Sequence, residues 1–275
     1  MSGSSEKTCR IAVVAPGRSI DCALADEARA VVARVCGDAV QLDFHPQCFL
    51  TDGHFAGDDD VRLAALVEVA NAPEYDAIWF ARGGYGACRI AETAIGRMDG
   101  AARNKRWLGY SDMGFLLAGL DRAEIGRIAH GPMPIDLSRE GGEPAFLRAL
   151  EWLRGGDAAE RGRAAPAIAL NLTVLGNLLG TGLEPDFAGR ELWIEDVGEY
   201  MYRIDRALFH VTSSAAVKRC SGIRLGRFTD VPANDPDFNR TDEQVVRYWC
   251  ERSGIPYLGR ADIGHDVNNT VVPFS

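Results

Sequence analysis

Short apolar runs alternate with amphipathic segments through the first half of this chain, and that alternation restricts the fold more than any other feature of the sequence. Short apolar runs predict buried strands, and the amphipathic segments between them predict helices. The predicted strands are 10–15, 39–44, 76–81, 106–110 and 125–130, and the predicted helices are 23–35, 61–71, 87–95 and 113–120. Strands that alternate with helices form a parallel sheet. The sequence therefore predicts an α/β fold that begins with a Rossmann-like parallel sheet flanked by helices.

A segment rich in glycine, alanine and mixed charges, 154–166, interrupts this pattern and predicts a linker. It separates an N-terminal α/β domain, 1–153, from a smaller C-terminal α/β domain with short strands, 167–275. In the second domain the predicted strands are 190–195, 221–228 and 257–263, and the predicted helices are 171–179, 198–211 and 241–252. Asn171 is predicted to cap the first of these helices.

Composition argues against several functional classes. The net charge of −9 and the lack of a dense Lys/Arg run disfavour a nucleic-acid binder. No apolar run approaches the length of a membrane span. The 7 cysteines are odd in number and scattered, without a C-x-x-C pair, which is typical of reduced thiols. We therefore expect a soluble, cytoplasmic protein with no membrane or nucleic-acid partner.

Two glycine-rich turns are predicted at the carboxyl edge of the first sheet, where ligands of such folds bind. The second turn, 109–114, places Ser111 between a strand and a helix, where its hydroxyl could act as a nucleophile. The N–H of Asp112 is then a natural oxyanion donor. A purely structural alternative is that Ser111 caps the following helix.

The first glycine-rich turn, Arg82 to Gly86, does not match the dinucleotide fingerprint, because Arg89 stands where the third glycine is needed. The bare backbone N–H groups of Gly83, Gly84 and Gly86 at this edge suit an oxyanion hole better. Together the two turns predict acyl transfer by a serine enzyme.

Such an enzyme needs a base, and the chain has 5 histidines. His45 and His54 lie in a polar loop near several aspartates, but their spacing fits no standard metal-ligand set, so no metal is expected. His210 falls in an amphipathic helix and is interpreted as structural. His130 and His265 each follow a predicted strand, and the residues alone leave both open as the base.

The base in turn needs a carboxylate to orient it. Glu195 ends an apolar strand, where a charge needs a partner, and it is the first candidate; Glu199 is the second. Asp196 and Glu199 have the spacing of a helix capping box, which would give both a structural role. Arg203 is spaced to pair with Glu199 along the same helix.

Five segments occur in an order that resembles the muropeptide LD-carboxypeptidases and their relatives that hydrolyse the antibiotic microcin C. They are RGGYG at 82–86, GYSD at 109–112, HGPM at 130–133, EDVGEYMYRIDR at 195–206 and GHDVNNTVVP at 264–273. Each segment is weak evidence alone, whereas the ordered set is specific. The segment 228–240 does not match the family pattern, and the chain stops soon after the last motif.

The resemblance implies a serine peptidase with a Ser-His-Glu triad: Ser111 as nucleophile, His265 as base and Glu195 as its partner. It implies oxyanion donors on the backbone of Asp112 and Gly84, and it leaves His130 as a neighbouring wall residue. The nucleophile would come from the N-terminal domain, and the other two residues from the C-terminal domain.

The resemblance also implies the reaction and the assembly. The substrate would be a murein tetrapeptide, and the enzyme would release its terminal D-alanine during cell-wall recycling. The alternative is hydrolysis of a microcin C-type peptidyl-nucleotide by the same triad. A homodimer without cofactor or metal is implied. Candidate substrate-binding residues are Arg82, Tyr85 and Arg203, and Arg89 is a further candidate for the terminal carboxylate.

Overall fold

The computed structural model of the protein describes residues 8–156 and 165–275. The strands are β1 (Cys9–Val14), β2 (Val40–Phe44), β3 (Ala77–Phe80), β4 (Arg106–Gly109), β5 (Arg127–His130), β6 (Ala167–Asn171), β7 (Glu191–Val197), β8 (Gly222–Thr229), β9 (Tyr257–Arg260) and β10 (Val272–Pro273). The helices are α1 (Cys22–Cys36), α2 (Asp59–Asn71), α3 (Ala91–Gly96), α4 (Gly114–Arg122), α5 (Glu143–Leu153), α6 (Leu172–Leu178), α7 (Met201–Ser213) and α8 (Asp242–Ser253).

The first sheet has the strand order β10-β5-β4-β3-β1-β2. Strands β1 to β5 run parallel, and β10 pairs antiparallel with β5. The central strand β3 is buried along its whole length, as expected for a sheet with helices on both faces. The carboxyl ends of β3, β4 and β5 therefore lie side by side and carry the two glycine-rich turns and His130.

The second sheet is parallel, with the order β6-β7-β8-β9. Helix α6 begins at its N-cap Asn171, whose side chain accepts a hydrogen bond from the N–H of Val174, as the sequence predicts. Helix α8 begins with a capping box in which Thr241 and Gln244 exchange side-chain and backbone hydrogen bonds. Both helix starts are thus fixed by local chemistry.

One hydrophobic core runs through both sheets. It joins side chains of β3 and α4 to side chains of β6, α6 and β8. At the contact, a Cβ on Gly114 would lie 3.0 Å from Cγ1 of Val174. The glycine allows α4 and α6 to approach closely, so the two sheets are held together by apolar packing.

The predicted fold class, two helix-flanked α/β sheets, is confirmed. Among the α-helices and strands of the described residues, three were not predicted: α5, β6 and β10. The predicted linker falls largely on 157–164, which lies outside the described residues. Among the described residues, no helix combines the length and hydropathy needed to cross a membrane.

Candidate active site

Ser111 lies directly after β4 in a strand-to-helix turn, and its backbone is in the left-handed region with φ 59°. A residue with a side chain rarely adopts this conformation, which costs on the order of 1–3 kcal/mol and clusters at functional sites. The turn carries no side-chain cap, so the capping alternative for Ser111 is wrong. A Cβ on Gly83 would lie 2.8 Å from Oγ of Ser111, so the hydroxyl is held against the first glycine-rich turn.

The side chain of Asp112 joins the two turns, a role that the sequence did not reveal. Its Oδ2 accepts hydrogen bonds from the N–H groups of Gly86 at 3.1 Å and Ala87 at 2.9 Å. Burial raises the pKa of Asp112, and these two hydrogen bonds oppose that rise. Gly84, in the first of these turns, has φ +92°. The carboxylate thus fixes the backbone around Gly84 relative to Ser111.

A second unpredicted contact comes from Arg62 on α2, which is fully buried. Its Nη1 donates to the carbonyl oxygens of Pro16 and Gly86, the latter at 3.0 Å. Its other nitrogens donate to the Gly57 carbonyl and the Asp59 carboxylate. Arg62 therefore ties the loop after β1 to the first glycine-rich turn.

Glu195 and His265 come together as an ion pair whose carboxylate is fully buried. Glu195 lies in β7 and is 0% exposed, and His265 lies in the loop after β9. Nδ1 of His265 is 2.7 Å from Oε2 of Glu195. Nε2 of His265 is buried and has no hydrogen-bond partner among the described residues. Glu195 thus orients the imidazole through Nδ1, and Nε2 is left without a partner and able to accept a proton.

The charge of Glu195 decides the protonation behaviour of His265. Burial alone would lower the pKa of His265, but the charge and hydrogen bond of Glu195, with smaller contributions from the charges of Asp136 and Asp196, outweigh burial, so the pKa is raised. The ring of His265 lies 4.8 Å from the ring of Tyr110, measured between centroids. Because Tyr110 immediately precedes Ser111, this contact brings the imidazole to the serine turn.

His130, the other candidate base, has a different environment. It is 1% exposed at the end of β5, and its Nε2 lies 3.2 Å from Oδ1 of Asn269. The same oxygen accepts the N–H of Gly264, so His130 donates through Nε2. Burial lowers the pKa of His130 to about 4. Asn269 is a further residue that the sequence analysis did not single out.

The predicted capping box at Asp196 and Glu199 is wrong. Helix α7 has Tyr200 as N-cap, without a side-chain hydrogen bond. Asp196 instead accepts from Nδ2 of Asn171 and from both the N–H and the hydroxyl of Thr173. It tethers α6 to β7, because its strand position points its carboxylate across to the neighbouring strand end. Burial, followed by the adjacent charge of Glu195, raises the pKa of Asp196.

The candidate substrate-binding residues differ in their exposure and in their partners. Tyr85 is 52% exposed beside Gly84, and its ring lies 6.1 Å from that of His54. Arg82 donates to the Ser19 carbonyl at 3.2 Å. Arg203 on α7 forms the predicted pair with Glu199, at 3.5 Å.

The remaining carboxylate-binding candidate, Arg89, is held by another residue. Its side chain pairs with Asp59 at 2.6 Å.

In residues 8–156 and 165–275 no three His, Cys, Asp or Glu side chains are grouped to hold a metal ion.

Comparison with known proteins identifies the family. The sequence profile of the LD-carboxypeptidase N-terminal domain matches residues 11–131, and that of the C-terminal domain matches residues 165–275. The murein tetrapeptide carboxypeptidase of Pseudomonas aeruginosa is 30% identical over an alignment of 242 residues that covers 80% of this chain and 77% of that protein.

Two solved structures share the fold. The muramoyltetrapeptide carboxypeptidase of Oxalobacter formigenes superposes with a TM-score of 0.80 at 22% identity, covering 97% of this chain and 92% of that one. MccF in complex with glutamyl sulfamoyl guanosine gives a TM-score of 0.80 at 17% identity, covering 97% and 91%. The resemblance noted in the sequence is confirmed: the chain belongs to the LD-carboxypeptidase family and is a hydrolase of the carboxypeptidase type.

Proposed function

We propose that the protein is a serine LD-carboxypeptidase that releases the terminal D-alanine of murein tetrapeptides in cell-wall recycling. The observation that carries this proposal is the Glu195–His265 pair, whose imidazole has an unpartnered Nε2 and contacts Tyr110, the residue before Ser111. Nucleophile, base and orienting carboxylate are the three parts that acyl transfer by a hydroxyl requires.

In the proposed first step, Oγ of Ser111 attacks the carbonyl carbon between meso-diaminopimelate and D-alanine. Nε2 of His265 takes the serine proton and then gives it to the departing D-alanine nitrogen. The Nδ1 proton stays on the hydrogen bond to Glu195, which stabilises the imidazolium. A water molecule, activated by the same imidazole, then attacks the acyl-serine and restores the enzyme.

The negative oxygen of the tetrahedral intermediate needs donors that are already in place. We assign this role to the N–H groups of Asp112 and Gly84. The contact between Gly83 and Ser111 and the tie from the Asp112 carboxylate support the assignment, because they hold the first glycine-rich turn against the serine turn. Each such donor contributes roughly 10²–10³ to the rate in other serine hydrolases.

We assign substrate-binding roles to candidate side chains that are exposed to solvent. Tyr85 presents an exposed ring next to Gly84 and is proposed to pack against the peptide. Arg203 also stays a proposed substrate residue, although its pairing with Glu199 already satisfies part of its charge.

The proposal also covers the domain boundaries, the oligomeric state and the location of the enzyme. We propose domains 1–153 and 167–275 joined by 154–166, a homodimer, and a cytoplasmic location. None of the described cysteines forms a disulfide, which fits a reducing compartment. Size-exclusion chromatography with light scattering measures the assembly directly, and a monomeric mass would contradict the dimer.

The test is incubation of the purified protein with a murein tetrapeptide ending in D-alanine and with its L-alanine epimer, followed by mass spectrometry. We expect release of D-alanine only, and none from Ser111→Ala. A peptidyl-nucleotide with an aminoacyl-adenylate-like linkage serves as the third substrate. Cleavage of that compound without cleavage of the tetrapeptide would replace the murein function by the microcin C-type alternative.

A further inference from the structure

Two arginines border the Gly83–Gly84 turn. Arg82 precedes the turn, and Arg18 reaches it from the loop after β1. A Cβ on Gly84 would lie 2.5 Å from Cδ of Arg18, so the stem of this exposed side chain lies directly over the glycine. No local sequence pattern marks Arg18.

Neither arginine forms an ion pair with a described residue. Arg82 donates to the carbonyl of Ser19, and its Nε is buried without a partner. By contrast, Arg62 and Arg89, on the other side of the same turn, both pair with Asp59. In a chain with 39 acidic and 30 basic residues, two neighbouring guanidinium groups without a carboxylate are available for an anionic ligand.

The two positive charges also oppose each other. Burial, and next the charge of Arg18, lower the pKa of Arg82. A bound carboxylate would reverse both effects, because it offers hydrogen-bond acceptors to the half-buried group and a negative charge between the two guanidinium groups.

The distances suit the leaving group of the proposed reaction. Ser111 Oγ lies against Gly83, and the stem of Arg18 lies against the next residue, Gly84. In a peptide the scissile carbonyl carbon and the next carboxyl carbon are three bonds apart, within about 4 Å. A charge-assisted hydrogen bond adds about 2.8 Å. We place the terminal carboxylate at this turn, because Ser111 and the stem of Arg18 contact neighbouring residues, Gly83 and Gly84.

We propose that Arg18 and Arg82 together bind the free carboxylate of the leaving D-amino acid. This subsite rests on the proposed carboxypeptidase function and explains why that reaction would be confined to the end of a peptide. Arg82 is the fixed member, because it is half-buried and bonded to Ser19. Arg18 is the exposed member and approaches the carboxylate from solvent. Arg62 holds the two backbone segments in register through Pro16 and Gly86.

The test compares a D-alanine-terminated tetrapeptide with its C-terminal amide, which lacks the negative charge. We expect Arg82→Gln and Arg18→Gln each to lower kcat/KM for the acid roughly 10- to 150-fold, as for loss of a charge-assisted hydrogen bond. Their kcat/KM for the amide should stay within about threefold of wild type. Arg82→Lys should recover part of the loss, because it restores the charge without the paired donors. Arg252→Gln, an exposed arginine on α8, is the matched control.

Binding to Ser111→Ala, measured by calorimetry, separates this inference from the proposed function. One outcome is that the wild type turns over the tetrapeptide while both arginine variants lose equal factors of kcat/KM on the acid and the amide. That result would overturn the subsite and leave the proposed function intact. Preference for the acid in binding, abolished by Arg82→Gln, without any wild-type turnover would support the subsite and overturn the function. Absence of both binding and turnover would overturn both.

Discussion

Two buried imidazoles contact the same tyrosine ring and behave in opposite ways. The ring of Tyr110 lies 5.5 Å from His130 and 4.8 Å from His265, between centroids. The pKa of His130 is lowered to about 4 by burial. The pKa of His265 is raised, although burial acts on it in the same direction as on His130.

The hydrogen-bond partner makes the difference. His130 is bonded to the neutral amide of Asn269, whereas His265 is bonded to the carboxylate of Glu195. Only a carboxylate compensates the charge that an imidazole acquires when it takes a proton. Burial with an amide partner gives a histidine that stays neutral, and burial with a carboxylate partner gives one that can act as a base.

The largest expected effect separates the two histidines directly. His265→Ala should lower kcat by about 10⁴-fold or more, because the proposed triad acts as a unit. His130→Ala should retain most of kcat, since its imidazole is neutral and bonded to Asn269. Single-turnover kinetics on the tetrapeptide measure both. A severe loss of kcat in a folded His130→Ala protein, with activity retained by His265→Ala, would reverse the assignment.

An intermediate effect is expected when the carboxylate loses its charge. Glu195→Gln should lower kcat by about 10²–10⁴-fold, because the amide can hold the wrong tautomer of His265. The low-pH limb of kcat/KM should also move to lower pH, because the Glu195 charge is what raises the pKa of His265. The pH–rate profile of the variant checks this shift.

Asp196 provides the matched control for Glu195. It is the next residue along β7, but its carboxylate bonds to Asn171 and Thr173 rather than to a histidine. Asp196→Asn should lower the melting temperature and move the low-pH limb of kcat/KM much less than Glu195→Gln does, because the Asp196 charge is the smallest of the four effects that raise the pKa of His265. Equal movement of the limb in both variants would argue against a specific role for Glu195.

The smallest expected effect is on stability. His130 has a pKa of about 4 in the folded protein and about 6.5 when unfolded, so the unfolded chain binds more protons between these values. The free energy of unfolding should therefore fall as pH falls through this window, by about 3 kcal/mol in total. His265 contributes in the opposite sense: its contribution is present below about 6.5 and is lost as pH rises through its raised pKa.

Urea unfolding of wild type and His130→Gln at several pH values between 4 and 6.5 tests the His130 contribution. The variant should lose most of the slope of unfolding free energy against pH in this range. His45→Gln, which changes a histidine outside the buried cluster, is the control and should keep the slope. Identical slopes in wild type and His130→Gln would show that other groups cause the acid sensitivity.

Local patterns predicted much of the fold, and long-range contacts account for what they missed. The caps at Asn171 and Thr241 are set by residues within one helical turn and could be read from the sequence. Strand β10 has only two residues and exists because Val272 pairs with His130. No local periodicity marks such a strand. The capping box failed because Asp196 finds its partners on α6 and β6 instead.

The site follows the same rule. The sequence predicts Ser111 because a serine in a glycine-flanked turn, 109–114, between a predicted strand and a predicted helix is a local pattern. The choice between His130 and His265 depended on partners 139 and 70 positions away, so the residues alone left it open and only the family resemblance favoured His265. The Asp112 and Arg62 ties join loops that only the folded chain brings together.

The loop that carries His265 is anchored at its two ends in different sheets. It leaves β9 of the second sheet and enters β10, which pairs with β5 of the first. Any sliding of one sheet against the other would therefore displace the imidazole. On gradual heating, this enzyme should stop working while its helices and strands are still intact, so its useful temperature range would be narrower than its melting curve suggests.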